Sequence, residues 1–415
     1  VEYELKDESI VAIIGGGPAG VSCSIRLITQ ARKVAKRVRV ILLEGKDFER
    51  HYNQCVGVLS PPFEEILEER LNVVLPSQLI KREISAYNLH ANNNEILLYS
   101  SKKLAPTYVV RRVMFDRFLL DYAQKLGVEI INSRATGIEF FKDEIRVYHE
   151  SGYIKAHIVV GAFGMDEGML STFEEGTSGR YKRPSKFLKS FITKIHVDKD
   201  FIDNRLGNII YAYIFPNSIP NIEFGAITPK EDHIDINIAG EKVTSKDMDL
   251  FIDLPEVKDH IPKIKKEELS YFEGKFPIAR AKNPFGDRYV IVGDATGWLR
   301  PFKGKGINTA IITGISAADI IIRYGFSEKS LKKYADICEE FIKDYHFGNF
   351  IRHTTHLLAR CNLFYYIIEL AKSDKIIYDA LFNSVSAHES FKNILKDILS
   401  IDIIKNLIRI KKYKR

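Results

Sequence analysis

Six residues near the amino terminus, Gly15-Gly16-Gly17-Pro18-Ala19-Gly20, carry the first recognisable chemistry. They fit G-x-G-x-x-G through Gly15, Gly17 and Gly20. Gly15 permits a tight turn, Gly17 lets a pyrophosphate approach the backbone, and Gly20 lets a helix pack closely on a strand. The free N–H groups and positive dipole end of a helix opening at Pro18-Ala19 complete an anion site. Glu44, followed by Gly45, stands 24 residues after Gly20, where a carboxylate can accept hydrogen bonds from ribose hydroxyls. A second constellation runs from Val292-Gly293-Asp294-Ala295 through Thr296-Gly297 to Pro301-Phe302-Lys303-Gly304-Lys305-Gly306-Ile307. It reads as a strand, a turn and a helix start. Asp294 could hold a chain of sugar-like hydroxyls, and the amides of Gly304 and Gly306 a carbonyl or an anion. Lys303 and Lys305 would raise the positive potential there, or are surface lysines on a turn.

Three further groups of residues invite a chemical reading. Cys55 lies in a loop before Pro61-Pro62, a position that favours a cleft over the buried site usual for a free cysteine. Tyr211, Tyr213 and Phe215 alternate along one strand face that ends at Pro216. Such a face suits an aromatic core ladder or a slot for a long apolar chain, with a phenol able to give a proton. His353 and His356 are spaced i, i+3, but no acid or cysteine stands at ligand spacing, so no metal site is expected.

The elements that must position these residues follow from periodicity and turn chemistry. Residues 10–14 and 38–43 read as strands flanking a helix over 18–31, a βαβ unit. Pro61-Pro62 opens a helix over 63–69, and short strands are expected at 84–90, 95–99 and 107–110. An amphipathic helix over 114–126 stops at Gly127. Strands return at 128–132, 137–141, 145–149 and 157–160. From 186 to 276 the pattern alternates as in an antiparallel sheet, with strands at 187–197, 208–215, 221–227 and 233–238. A strand at 289–292 feeds a long helix over 304–324, and the chain beyond Glu328 reads as helical. The expected fold is α/β: a Rossmann-type dinucleotide-binding domain (1–83, 107–185 and 277–325), an inserted antiparallel-sheet substrate domain (84–106 and 186–276) and a helical C-terminal region (326–415).

Composition bounds the function class. The 415 residues are 45% hydrophobic and 28% charged, which excludes a disordered chain and allows a sizeable core. Four scattered cysteines, none in CxxC spacing, do not make a disulfide scaffold and fit a reducing compartment. Acidic residues crowd the first eight positions, where a signal peptide needs a basic segment. The net charge of +7 is concentrated at the end: Lys405 to Arg415 hold six basic side chains and no acid. Subtracting six from the 61 basic residues leaves 55 against 54 acidic ones, so nucleic-acid binding is not expected. The same tail carries Ile403, Ile404, Leu407, Ile408 and Ile410, and suits contact with an anionic membrane surface or is simply a charged terminus.

Together these residues resemble the two-domain FAD oxidoreductases typified by p-hydroxybenzoate hydroxylase. In that family the first glycine motif holds the ADP pyrophosphate, the late Gly-Asp motif holds ribityl and pyrophosphate, and the next glycine turn lies by the isoalloxazine ring. Arg112 with Phe115-Asp116 is similar to the family's R-x-x-F-D segment, whose arginine lies along the cofactor. Where relatives have Gly-Ala-Asp-Gly, this chain has Gly161-Ala162-Phe163-Gly164. Narrower marks resemble the geranylgeranyl reductase branch. Gln54-Cys55-Val56-Gly57-Val58-Leu59-Ser60 is similar to its cysteine–glycine segment beside the substrate face of the flavin. Tyr211-Ala212-Tyr213-Ile214-Phe215-Pro216 is similar to Y-x-W-x-F-P, and Pro301 to Ile307 to P-x-x-G-G-G-I.

The resemblance covers about residues 10 to 325 and implies FAD as cofactor. It implies a reductase that saturates double bonds of a polyprenyl, geranylgeranyl-type lipid, with Cys55, Tyr211 or Tyr213 as proton source. Tyr211, Tyr213, Phe215 and Pro216 would line the substrate. The electron donor is NAD(P)H or a ferredoxin. A cytoplasmic protein, peripheral at the inner membrane face, is expected. A flavin monooxygenase or halogenase acting on a small aromatic is the alternative, although halogenases carry W-x-W-x-I-P and the only tryptophan here, Trp298, lies elsewhere. A non-catalytic flavin-binding or membrane-docking protein is a third class.

Overall fold

The computed structural model describes residues 3–50, 55–91, 94–100, 104–214, 219–299, 306–361, 363–386 and 388–398. Phe215, Pro216, Pro301, Gly304 and the basic tail therefore lie outside the described residues. Strand β1 (Ser9–Ile14), a helix (Pro18–Lys33) and β2 (Val38–Leu43) form the opening βαβ unit. There follow β3 (Val58–Leu59), β4 (Ile80–Ile84), β5 (Ala86–Ala91), β6 (Asn94–Leu98) and β7 (Thr107–Val110). After helix Arg112–Lys125 come β8 (Glu129–Ile131), β9 (Ala135–Phe140), β10 (Ile145–His149), β11 (Gly152–Ala156) and β12 (Ile158–Gly161). The middle of the chain supplies β13 (Phe187–His196), β14 (Ile209–Ile214), β15 (Phe224–Pro229), β16 (His233–Gly240) and β17 (Phe272–Pro277). The hairpin β18 (Phe285–Gly286) and β19 (Tyr289–Ile291) leads into helix Gly306–Tyr324.

Four sheets result. The first, in order β18-β19-β12-β1-β2-β8, is parallel except for its edge strand β18. Its strands β1, β2 and β12 are apolar on both faces, as a sheet covered on both sides requires. Helices Pro18–Lys33 and Gly306–Tyr324 cover one face in close contact. A Cβ on Gly314 would stand 2.3 Å from the Ala19 carbonyl oxygen, so only glycine lets the two backbones approach so closely. Arg26 of the first helix bridges Asp319 of the second at 2.6 Å. Helix Gly306–Tyr324 is long and apolar enough to cross a membrane, yet 78% of its most apolar window is buried inside the molecule. Its all-round hydrophobicity is that of a core helix.

The largest sheet, β17-β13-β16-β15-β14-β5-β6, is antiparallel except for the β14–β5 pair. Its side chains divide by parity. Tyr211, Tyr213, Ile227, Ile236 and Ile238 pack with Met248 and Phe251 of helix Ser245–Ile252 in one core. Ile210, Ala212 and Ile214 point the other way, into a core shared with Phe364, Ile368, Phe382 and Val385 of the C-terminal helices. Arg352 in helix Glu339–Arg360 clamps that layer to the sheet through a buried, two-pronged pair with Glu223, at 2.7 and 2.6 Å.

Two segments depart from their expected form for local reasons. The single strand expected at 84–90 is two strands in different sheets, because the chain crosses over at Ser85, whose N–H donates to the Asn208 carbonyl. The helix expected at 63–69 is one turn (Phe63–Glu65) that widens over Ile66–Leu71 and ends at Asn72 in the left-handed region. Strand β11 and helix Glu167–Gly176 were not expected. The helix is set by Asp166, whose carboxylate accepts from the Met169 N–H at 2.8 Å, and by the burial of Met169, Leu170 and Phe173.

Candidate active site

A cavity of about 1110 Å³ runs between the parallel sheet and the antiparallel one. It lies at the C-terminal ends of β1, β2 and β12, where ligands of open parallel sheets are held. Its volume is just above the usual range for one small ligand, roughly 300–1,000 Å³.

The nucleotide end is built from backbone. Gly15 (φ +106°) turns the chain out of β1, and a Cβ there would stand 2.5 Å from the Ala162 carbonyl oxygen. A Cβ on Gly20 would be 1.9 Å from the Gly15 oxygen, whereas one on Gly17 would meet nothing within 4 Å. Gly17 thus faces open cavity at the start of the Pro18–Lys33 helix, the cradle a diphosphate requires. Pro18 and Ala19 line the same wall, with Glu44 and Gly45 beside them. The Glu44 carboxylate already accepts from the Gly16 N–H at 2.9 Å and the Lys46 N–H at 2.7 Å. These bonds hold it at the cavity edge, and each oxygen keeps a further lone pair for a ribose hydroxyl.

At the centre stand Cys55, Arg112 and Asp294. Arg112 opens helix Arg112–Lys125 and grips Asp116, one turn on, through two 3.0 Å bonds. Burial opposes its charge, but Asp116 and the Cys55 sulfur, also in hydrogen-bond contact with it, overcome that and raise its pKa. Gly57 (φ +85°) turns the Cys55-Val56-Gly57 loop against β7, where its carbonyl accepts from the Val110 N–H. Asp294 follows β19 in a tight turn closed by Gly297 (φ +67°), with Ala295 fully buried behind it. Burial pushes the Asp294 carboxyl up to about 6, and Arg112 partly offsets this. A half-buried carboxylate with so little compensation is a group suited to hydroxyl donors. Gly306 and Ile307 begin the next helix on the same wall, a Cβ on Gly306 meeting Asp294 Oδ1 at 3.1 Å. Gly164 (φ +59°) also lines the cavity, with open space where a Cβ would be.

These residues fit FAD. The Gly17 cradle and Pro18-Ala19 helix start would take its diphosphate, Glu44 its ribose, Asp294 its ribityl chain, and Cys55 to Gly57 with Gly306 and Ile307 its ring.

The two tyrosines are elsewhere. Tyr211 and Tyr213 lie on the face of the seven-stranded sheet that turns away from this cavity, because the even positions Ile210 and Ala226 line it instead. Tyr213 is buried and stacks on His90 at 4.6 Å, and its hydroxyl donates to the Glu256 carbonyl at 3.0 Å. Burial raises its pKa above the ordinary phenol value. Tyr211 packs on His260 at 4.0 Å and lines a separate polar cleft of about 760 Å³. Of the two readings of this aromatic face, the described half of it is a core ladder. Neither phenol reaches the cavity as a proton source.

Sequence reasoning passed over several residues that the fold brings here. Asp166 lies two positions beyond the Gly161-Ala162-Phe163-Gly164 segment and lines the cavity while capping its helix. Beside the polar Ser190, Thr228, Asn237, Glu273 and Lys275, the far wall carries Ile192, Ile210, Phe224, Ala226, Phe276 and Val385, drawn from four strands and a C-terminal helix. Their even parity within the sheet was readable, but which face meets the cofactor was not. His353 and His356 lie on helix Glu339–Arg360, and Trp298 is buried against Tyr334 at 5.0 Å.

No protein-family model matches the chain. Digeranylgeranylglycerophospholipid reductase 3 of Methanosphaera stadtmanae is 26% identical over 354 residues, or 80% of this chain and 83% of its own. Digeranylgeranylglycerophospholipid reductase 1 of Methanothermobacter thermautotrophicus is 24% identical over 400 residues, covering 93% and 94%. Among solved structures, a geranylgeranyl bacteriochlorophyll reductase-like protein of Thermoplasma acidophilum superposes with a TM-score of 0.71 at 20% identity, covering 97% of this chain and 99% of its own. A flavin-dependent brominase superposes with a TM-score of 0.68 at 18% identity over 100% of both chains. The structural likenesses establish the fold.

Proposed function

We propose that the chain is an FAD-dependent oxidoreductase of the geranylgeranyl reductase family, and that it saturates carbon–carbon double bonds of a polyprenyl, geranylgeranyl-type lipid. The observation that carries the reading is the make-up of the cavity: one thiol, Cys55, lines it together with the cofactor residues and an apolar set made of Ile192, Ile210, Phe224, Ala226, Phe276 and Val385. That wall suits a hydrocarbon chain and excludes water from the reacting carbons. Asp294 and the Gly17 cradle would hold FAD, which when bound and reduced would supply the hydride. The chain's own residues orient the alkene and exclude water, and Cys55 holds the proton for the second carbon. The electron donor is NAD(P)H or a ferredoxin.

Anaerobic incubation of dithionite-reduced protein with a digeranylgeranylglyceryl phospholipid tests this. Mass spectrometry should find products heavier by two hydrogens per bond reduced; unreacted lipid beside a fully reduced flavin refutes the reading. Oxygen uptake driven by a small aromatic would mark the monooxygenase or halogenase alternative. The basic tail at 405–415 is proposed to rest on an anionic membrane surface of the cytoplasm, and removing it should weaken vesicle binding while leaving the bound flavin in place.

A further inference from the structure

The polar cleft of about 760 Å³ lies on the tyrosine face of the seven-stranded sheet, across the sheet from the large cavity. One wall is the β5–β6 hairpin, with Asn88, His90 and Glu95. The other is the stretch 255–260, with Glu256, Asp259 and His260. Tyr211 of β14 lies between them, since parallel pairing sets Asn88 beside Tyr211 and His90 beside Tyr213. His90 is 7% exposed, yet its Nε2 makes no hydrogen bond among the described residues. Asn88 Oδ1 is likewise buried and unpaired. Both stand around one carboxylate: Glu95 Oε2 accepts from Asn88 Nδ2 at 3.0 Å and lies 3.4 Å from His90 Nε2.

Burial holds the His90 ring's pKa down at about 4, against the pull of Glu95 and with a further push from His260. The ring is therefore neutral at pH 7 and does not cancel the Glu95 charge. With its proton on Nδ1, it presents Nε2 as a third acceptor beside Asn88 Oδ1 and Glu95 Oε2. Buried acceptors left unpaired are costly, and a donor that reaches them removes the penalty. The charges point the same way. After burial, which is the largest cause, Glu256, Glu95 and Asp259 all oppose ionisation of the Tyr213 hydroxyl. Against these three carboxylates the described lining residues set one guanidinium, Arg205, whose Nε donates to the Asp259 carbonyl at 2.7 Å. Such a cleft repels phosphate and attracts a cation. The described residues contain no group of three His, Cys, Asp or Glu side chains placed to hold a metal ion, which leaves an organic cation.

We propose that this cleft is a second binding site, for an aliphatic di- or polyamine. One ammonium donates to Glu95, Asn88 Oδ1 and His90 Nε2, and another pairs with Glu256 or Asp259 on the facing wall. A primary ammonium carries three N–H donors and no acceptor, which matches three acceptors around one negative charge. Carboxylates on both walls call for two separated positive charges. The rings of Tyr211 and His260, packed together at 4.0 Å, offer an apolar surface to the methylenes that join them. A lipid headgroup that carries a phosphate beside its ammonium is disfavoured, because the same carboxylates repel the phosphate. The site goes beyond the reductase reading and does not depend on it, since the sheet stands between the cleft and the cofactor residues.

Calorimetric titration of the flavin-loaded full chain with hexamethylenediamine at low ionic strength tests the site. Saturable binding of one diamine per chain is expected. Hexylamine has one ammonium, and hexamethonium keeps both charges but has no N–H; each should bind about tenfold more weakly. Glu95→Gln changes a side chain that is 60% exposed, so the fold should persist. It should weaken the diamine about tenfold, while the remote surface variant Asp121→Asn should leave binding unchanged. In NMR the ring signals of His90 and His260 should move in step with the heat. Hexamethonium binding as tightly as the diamine would reduce the cleft to a patch of negative charge and overturn the proposal. Titration without saturation would overturn it as well, as would saturation that leaves both rings unmoved or is unaffected by Glu95→Gln.

Discussion

The two walls of the cavity are made of different materials. The nucleotide wall is backbone: Gly15, Gly17 and Gly20 admit no side chain on two of three positions, with clearances of 2.5 and 1.9 Å to carbonyl oxygens. The substrate wall is side chain: Ile192, Ile210, Phe224 and Ala226 project from a regular sheet whose hydrogen bonds are satisfied without them. The first wall can hold one kind of group, a diphosphate on free N–H donors, and tolerates almost no change. The second sets its shape by apolar volume, so its contents can vary while the sheet persists. A cofactor common to many reactions is held by the first, and the choice of substrate falls to the second.

The contrast can be broken at its rigid side first. Gly20→Val puts carbon atoms within 1.9 Å of the Gly15 oxygen and should cost more than about 4 kcal/mol, enough to remove folded, yellow protein. Soluble yield and thermal unfolding would show it; a stable flavin-bound variant would mean that the turn can move.

Asp294 comes next. Its carboxyl is raised from 3.8 to about 6 by burial, so its contribution to stability is full below about pH 3.8 and is lost as pH rises through 6. The loss is roughly 3 kcal/mol at neutral pH in flavin-stripped protein. Asp294→Asn should recover it, flattening the difference from wild type below pH 4, and should weaken FAD binding. Denaturant unfolding of the two stripped proteins at both pH values measures the first effect, and flavin titration the second.

Between the walls, Cys55→Ala should retain flavin and slow lipid reduction about 100-fold, equivalent to about 2.7 kcal/mol of barrier. A rate unchanged in single-turnover flavin reoxidation would remove Cys55 from the chemistry. The smallest effect is expected on the far face of the sheet. Tyr213→Phe loses one hydrogen bond to the Glu256 carbonyl, about 1 kcal/mol of stability, and should leave turnover unchanged. A large loss of turnover there would return the tyrosine to the reaction.

Much of the nucleotide wall was legible in the sequence because its chemistry is local. Gly15 to Gly20, Glu44 and Asp294 each sit at a strand end, and a strand end next to a glycine turn is a short-range pattern. Asp166 escaped notice because a helix cap two residues past a familiar segment has no periodicity to announce it. The substrate wall was half legible. Alternation places Tyr211 with Tyr213 and Ile210 with Ala212, and the structure keeps both pairings.

Which pair meets the cavity depends on what covers each face, and that is a long-range matter. Helix Ser245–Ile252 packs on the tyrosine face, and the C-terminal helices and the parallel-sheet domain share the other. The run from Asp232 to Asp235 is likewise visible as four consecutive letters, yet it is held by Arg111, 121 residues earlier than Asp232, and pairs with Thr228 across the sheet. The sequence by itself determined the glycine turns, the alternation and the neutral body with its basic end, because each is set by steric rules or charge within a few residues. Only the tertiary structure decided which face is wet with chemistry and which is sealed, because burial is a property of what packs against a residue and no residue carries its neighbours with it.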